Sequence, residues 1–327
     1  VRFNLILVDN NSEVIFRNKV LKWLNKNNIN VNHVKNKKFN LKDFSKRKTC
    51  FFIKNKINLG CGLGHNSGYE FCIKNDFKYI ARIDNDMFLP NNLIFKLSNR
   101  LERNKKIIAL SPKVMFTQKP NLIWFRGTTI GSNLKLQKQC ANYLPGHLDK
   151  KKFKGLINTD AIVGCASIMR ADILKKTSLS DPDFFYGEED IELSHRLKKH
   201  KGVLKIDLDQ KIYHSVSNTV GKNWAKNIYY NYKYRLLLIK KIGTFSDKFF
   251  GYSIPIVKLI ISLSLIFKKK ESSKIIQRYL GLKHFFQGKF GEFDRKNYSL
   301  IDNYFSQISK NTTWLDIIKI LKIKIKI

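Results

Sequence analysis

Tyr79-Ile80-Ala81-Arg82-Ile83-Asp84-Asn85-Asp86 is the stretch on which the reading of this chain turns. Five residues of strand character stop at an acidic turn, and Met87-Phe88-Leu89-Pro90 follows. Two carboxylates one residue apart at a strand end hold one divalent ion and leave coordination positions open. A hard cation bound this way completes its shell with water and substrate phosphates. That suits a nucleotide diphosphate, whose charge the ion neutralises as the leaving group departs. A solvated acidic turn is the other reading, because so short a motif also arises by chance.

Strands and helices alternate outward from this point. Phe3 to Val8 reads as a buried strand that stops at Asp9-Asn10-Asn11-Ser12. Ser12 is expected to cap a helix through about Asn27, with Val14, Ile15, Leu21 and Leu24 on its buried side. Phe51-Phe52-Ile53 is the next expected strand, followed by a glycine-rich turn and a helix near Tyr69 to Asn75. After the acidic triplet come an expected helix from Asn91 to Arg103 and a strand from Ile107 to Ser111. This alternation predicts an α/β fold with a mostly parallel sheet flanked by helices. In such sheets ligands lie at the carboxyl ends of strands, where both acidic turns fall.

The chain has 327 residues, 43% of them hydrophobic and 13% aromatic, enough apolar material to exclude a wholly disordered chain. Its 62 Lys and Arg against 25 Asp and Glu leave a net charge of +37. Such a field attracts nucleic acid, an anionic membrane face or nucleotide phosphates. A background rich in Lys, Asn, Ile and Phe is the competing explanation. Five cysteines without C-x-x-C spacing (Cys50, Cys61, Cys72, Cys140 and Cys165) argue against a disulfide framework or zinc ribbon and for a reducing compartment. No signal peptide is expected before the first strand-like run.

The character changes near residue 220, which divides the chain into an expected catalytic domain over 1–220 and a helical C-terminal region over 221–327. Asn227 to Lys241 is aromatic, basic and helical in pattern. Phe249 to Phe267 is apolar apart from Lys258, and Lys268-Lys269-Lys270 follows. Three readings stand: a helix in the membrane interface held by lysines on anionic headgroups, a helix buried against the domain, or a span interrupted by Pro255. The Ile-Lys alternation from Lys319 to Ile327 is strand-like and receives no role.

Two further segments carry chemistry. Asn58-Leu59-Gly60-Cys61-Gly62-Leu63-Gly64-His65-Asn66-Ser67-Gly68 brings backbone N–H groups within reach of phosphate or sugar oxygens. His65 stands where a dinucleotide fingerprint needs glycine, and the lysine and hydroxyl of a P-loop are missing. A surface loop is the plainer reading. Asp181-Pro182-Asp183-Phe184-Phe185-Tyr186-Gly187-Glu188-Glu189-Asp190-Ile191-Glu192-Leu193 is either ordinary helix-start acidity or the source of a general base.

In this order and spacing these elements resemble family 2 glycosyltransferases of the GT-A fold, closest to the bacterial branch that includes rhamnosyltransferases of cell-surface polysaccharide synthesis. Val8-Asp9-Asn10-Asn11-Ser12 is similar to the family's V-D-[ND]-x-S turn. Asn58 to Gly68 is similar to an N-x-G-x-G-x-G-x-N-x-G segment of that branch. Asp84-Asn85-Asp86 lies at its D-x-D triplet, and Gly164 through Arg170, Phe184-Phe185 and Glu189 to Leu193 follow a G-x-x-x-x-x-R, F-F, E-D-x-D-L series that ends in Arg196. The similarity runs from about Phe3 to His214, with weaker echoes to Gly291.

The resemblance implies a metal-dependent, inverting transfer from a nucleotide diphosphate sugar, rhamnose-like or another hexose, to a hydroxyl of a glycan or lipid-linked acceptor. It implies Mg²⁺ or Mn²⁺ at Asp84 and Asp86, with Asp86 the direct ligand and His214 a third ligand or a core histidine. Asp190 is the implied base and Glu189 its runner-up. Asp9 and Asn10 are implied beside the nucleobase, and Asn58, Gly60, Asn66 and Asp84 along the nucleotide sugar. It places the enzyme at the cytoplasmic face of an anionic membrane, with no specific nucleic acid as partner. In the family a strand and helix precede the V-D-x-x-S strand. If that unit is absent, an exposed apolar sheet edge and an incomplete nucleotide pocket are expected.

Two other functions remain open on the residues alone. Tyr229-Tyr230-Asn231-Tyr232-Lys233-Tyr234-Arg235 interleaves aromatic and basic residues, as a nucleic-acid-binding protein without catalysis would. A two-metal phosphodiesterase is the weaker option, for want of further His and Asp.

Overall fold

A computed structural model describes residues 3–34, 49–130, 147–215, 224–263 and 269–292. Strands β1 (Leu5–Asp9), β2 (Asn30–His33) and β3 (Thr49–Lys54) form a parallel sheet in the order β1-β3-β2. Helix α1 (Val14–Lys26) joins the first two strands. It follows Glu13 and has no side-chain cap; the Ser12 amide bonds to the Asp9 carboxylate instead. Leu24 is buried, but Val14 and Ile15 are 63% and 59% exposed, contrary to the face expected for them.

The second sheet contains β4 (Tyr79–Ile83), β5 (Met87–Phe88), β6 (Ile107–Phe116), β7 (Leu122–Phe125), β8 (His147–Leu148), β9 (Leu156–Asn158), β10 (Ala166–Arg170) and β11 (Val203–His214). Its central order is β4-β10-β6-β11-β5. The expectation of a mostly parallel sheet needs correction here. Only β6 and β11 run parallel among its pairs, while β10 is antiparallel to both β4 and β6. Parallel neighbours need a long crossover between them, and the short link from β6 to β7 leaves only antiparallel pairing open to that pair.

Helix α2 (Gly60–Lys74) begins eight residues or more before the helix expected near Tyr69, because the glycines lie inside it. Their missing side chains permit close packing. A Cβ on Gly60, whose φ is +80°, would stand 2.3 Å from the Phe185 carbonyl oxygen; one on Gly64 would stand 2.9 Å from Asn10 Nδ2. Gly60→Ala is therefore expected to cost about 1–3 kcal/mol, from overpacking and a left-handed backbone. Urea denaturation checks this, and an unchanged midpoint would show that the contact yields freely.

Helix α3 (Leu93–Arg103) packs Leu93, Leu97 and Leu101 against Leu110, Ile168 and Ile206 of the second sheet. Helices α4 (Ala171–Thr177) and α5 (Glu189–Lys198) form another core with α2 through Leu174, Leu193, Leu197 and Tyr69. Two motif arginines close helix ends. Arg170 donates to the carbonyls of Leu101, Asn104 and Ile107, and Arg196 to those of Thr177, Ser178 and Leu179. Both satisfy carbonyls that the last helical turn leaves open.

Helices α6 (Trp224–Ile242), α7 (Phe245–Leu263) and α8 (Lys269–Phe286) complete the described chain. Tyr229, Tyr230 and Tyr234 are buried with Phe184, Leu280 and Phe285, and Lys233 is fully buried between the tyrosine rings. The aromatic–basic run read as a stacking surface for bases is thus core at these positions. Helix α7 packs Gly251 and Tyr252 inward, while Phe245, Phe249, Val257, Ile260 and Ile261 are exposed. Among the described residues no helix is long and apolar enough to cross a membrane. Cys140, residues 264–268 and Lys319 to Ile327 lie outside the described residues.

Candidate active site

Strands β1 and β4 each pair on one side only among the described residues, with β3 and β10 respectively. Both line one cleft of about 1370 Å³, whose walls include Phe3, Leu5, Phe16 and Ile80. Leu5 of β1 is 39% exposed. At the carboxyl end of β4 the cleft meets Asp84, Asn85 and Asp86, together with His65, Trp124, Tyr186 and His214.

The acidic turn is fixed by backbone bonds. Asp84 N–H donates to Cys165 O at 2.9 Å, and Ser215 N–H donates to Asp86 O at 3.0 Å. The second bond, with the pairing of His214 opposite Met87, carries the end of β11 to the triplet across 128 positions of sequence. His214 Nε2 lies 3.1 Å from Asp86 Oδ2, and the Trp124 ring meets the imidazole edge-on with centroids 4.7 Å apart. His65 on α2 lies 3.3 Å from Asp84 Oδ1. Burial, seconded by the charge of Arg82, pushes the His65 pKa down. Burial alone would raise the Asp84 carboxyl, but His65 and Arg82 outweigh it and hold it below its ordinary value.

Among the described residues no three His, Cys, Asp or Glu side chains converge to hold an ion unaided. The donors fit an open shell instead. A separation of 3.1 Å between Asp86 and His214 matches adjacent ligands on an octahedral cation with bonds of about 2.1 Å. Asp84 is turned to His65 through Oδ1.

Glu189 and Asp190 do not line the cleft; the helix that carries them, α5, starts from two left-handed residues, Gly187 (φ +85°) and Glu188 (φ +69°). Asp190 Oδ2 accepts from Gly164 N–H at 3.0 Å, and Oδ1 accepts from Ile191 N–H at 2.9 Å. Glu189 is 7% exposed, and its Oε2 has no hydrogen-bond partner. Burial, then the charge of Asp190, raises its pKa to about 7, with Arg82 opposing. Helix α6 braces this loop from behind: Phe185 and Tyr186 each pack on Tyr230 with centroids 5.7 Å apart, and Arg235 is paired with Glu188.

The expected sugar-nucleotide residues divide into two groups. Asp9 and Asp84 line the cleft, whereas Asn10, Asn58, Gly60 and Asn66 do not. Asp9 is bonded to Arg17 and to the Ser12 amide; these outweigh the rise that burial would cause and keep its pKa low. The Asn10 amide is fully bonded to Asn55, Asn58, Leu59 and Gly60, which ties α2 to β1. Asn66 exchanges two hydrogen bonds with the Ser180 backbone at 2.8 and 2.9 Å. His65, Arg82 and Trp124 are additions that the motif reading missed. The position of His65 in the glycine segment was the one visible signal.

No family model matches the chain, and no curated protein does. Solved structures similar to it include GalNAc-T7 with UDP, GalNAc and Mn²⁺, with a TM-score of 0.46 and 13% identity over 71% of this chain and 44% of that one. S. aureus TarS 1-349 matches with a TM-score of 0.46 and 12% identity over 86% of this chain and 71% of that one. A second TarS structure gives 0.44 and 13%, over 90% and 44%. The chain spans less than half the length of the GalNAc-T7 structure.

Proposed function

We propose that this chain is a metal-dependent, inverting glycosyltransferase. It moves a sugar, rhamnose-like or another hexose, from a nucleotide diphosphate to a hydroxyl of a glycan or lipid-linked acceptor in cell-surface polysaccharide synthesis. The observation that carries this reading is a pair of acidic sites. At one, Asp86 and His214 present an oxygen and a nitrogen donor 3.1 Å apart; at the other, Glu189 and Asp190 are adjacent carboxylates in different environments. Paired carboxyls whose environments separate their protonation mark an acid–base assignment.

Asp86 and His214 would hold Mg²⁺ or Mn²⁺, which would neutralise charge on the leaving diphosphate. Asp190, held by two backbone N–H groups, takes the proton of the acceptor hydroxyl as its oxygen attacks the anomeric carbon. The bond to the diphosphate oxygen breaks on the opposite face, and the configuration inverts. Glu189 stays protonated below about pH 7, so that one negative charge rather than two faces the acceptor. Asp84 is oriented by His65 at the diphosphate end. The test is release of nucleoside diphosphate from UDP- and dTDP-sugars with Mn²⁺ or Mg²⁺. Turnover that persists in excess chelator would contradict the reading.

The same proposal places the protein on the cytoplasmic membrane face. In support, the exposed residues Phe245, Phe249, Val257, Ile260 and Ile261 share α7 with the exposed Lys258, within a chain of charge +37. An apolar helical stripe with lysines suits an interface of anionic headgroups. Cosedimentation with phosphatidylglycerol vesicles should exceed that with phosphatidylcholine and weaken in Phe249→Asp/Ile260→Asp. Equal binding to both lipids would remove the membrane component.

A further inference from the structure

We propose that Arg82 is a positioning residue: from the cleft wall it supplies the fixed positive charge that faces Glu189 and Asp190 and opposes the proton on Glu189. This rests on the glycosyltransferase reading for its catalytic consequence, but the charge-setting itself does not.

Arg82 belongs to β4, opposite Ser167 of β10, and it is 5% exposed. A buried arginine with a purely structural task is tied down by hydrogen bonds, as Arg170 is. Arg82 differs, since its Nε and one Nη make no hydrogen bond. A buried cation left so loosely held is costly, and its charge must act on its neighbours through space. Those neighbours are acidic. A Cβ placed on Gly164 would stand 2.8 Å from Arg82 Nη2 and 3.2 Å from Asp190 Oδ2, so both groups lie over the bare face of that glycine. The Gly164 amide is also the donor that fixes Asp190. Glycine at 164 is thus what lets guanidinium and carboxylate share one site.

The charged and titratable groups around the pair come from several elements. Helix α5 and its lead-in contribute Glu188, whose charge Arg235 of α6 meets. Helix α2 contributes Cys61, His65 and Tyr69, the β4 turn Asp84, and the start of β10 Cys165. Burial, Asp190 and Glu188 favour the proton on Glu189, and Arg82 is the cation that opposes them. Without it Glu189 would hold its proton to higher pH.

The experiment compares Arg82→Met with Arg82→Lys. In the Arg82→Met background, the pH above which the enzyme diverges from its Glu189→Gln counterpart should move up by about one pH unit or more. Arg82→Lys should keep the wild-type divergence. Gly164→Ala, whose Cβ would displace the guanidinium without removing it, should shift the divergence in the same direction and serves if Arg82→Met does not fold. A second readout needs no turnover: ¹³C-carboxyl NMR of glutamate-labelled protein, with Glu189 assigned through Glu189→Gln. That resonance should titrate higher in the Met variant. A kcat loss of equal factor at every pH, or an unmoved Glu189 titration, overturns the proposal. If Glu189 moves while no nucleotide sugar is turned over by the wild type, the charge-setting role stands and the glycosyltransferase reading fails.

Discussion

Asp190→Asn is expected to lower kcat by about 10²–10⁴-fold, the range that a positioned general base contributes. The fold should survive, because the substitution is nearly isosteric and Asn retains one acceptor for the Gly164 or Ile191 amide. The loss should fall on kcat more than on KM, since the proton moves only as the acceptor attacks. Glu189→Gln supplies the contrast. With a pKa of about 7, Glu189 is largely protonated in mildly acid solution, so Gln imitates its resting state there. Activity of Glu189→Gln should match the wild type below pH 7 and diverge above it, where the wild-type carboxyl ionises beside Asp190. If instead Glu189→Gln abolishes turnover and Asp190→Asn does not, the two roles are exchanged.

The second large effect is expected at the metal corner. Asp86→Ala removes the carboxylate that faces His214 at 3.1 Å, leaving an imidazole alone to hold the ion. Loss of the ion's charge stabilisation is worth several kcal/mol, on the order of 10²–10³-fold in rate. Titrating activity against Mn²⁺ should show a weaker activation constant in His214→Ala and little activation in Asp86→Ala. Chelation should leave the thermal midpoint almost unchanged, because the donors form an open corner and no closed structural cage. Wild-type Mn²⁺ activation in Asp86→Ala would exclude this pair from the metal site.

Some of this was readable from local pattern. The run from Tyr79 to Ile83 has strand character and ends at polar residues, and β4 occupies that span. Leu93, Leu97 and Leu101 recur at helical spacing and form the buried stripe of α3. The acidity of residues 188–192 marked a helix start, and α5 begins there. The glycine segment misled because flexibility and close packing require the same residue. Gly60 and Gly64 are glycine for what lies against them, Phe185 and Asn10, and neither neighbour is near in sequence. Val14 and Ile15 misled for the converse reason: an apolar residue in a helix pattern does not state whether a partner surface covers it.

Periodicity, turn residues and the spacing of carboxylates are properties of a few consecutive residues, so the amino-acid order alone determined where β1, β3, β4, β6, α1, α3 and α6 lie and that Asp84 and Asp86 share one turn. The meeting of Asp86 with His214, of Asp190 with Gly164, and of Arg82 with Asp190 was decided only in three dimensions. Each depends on which strand lies beside which, as when β10 inserts antiparallel between β4 and β6. Strand neighbours are chosen by burying the sheet's two faces together, and that balance is struck over the whole molecule rather than along any one segment.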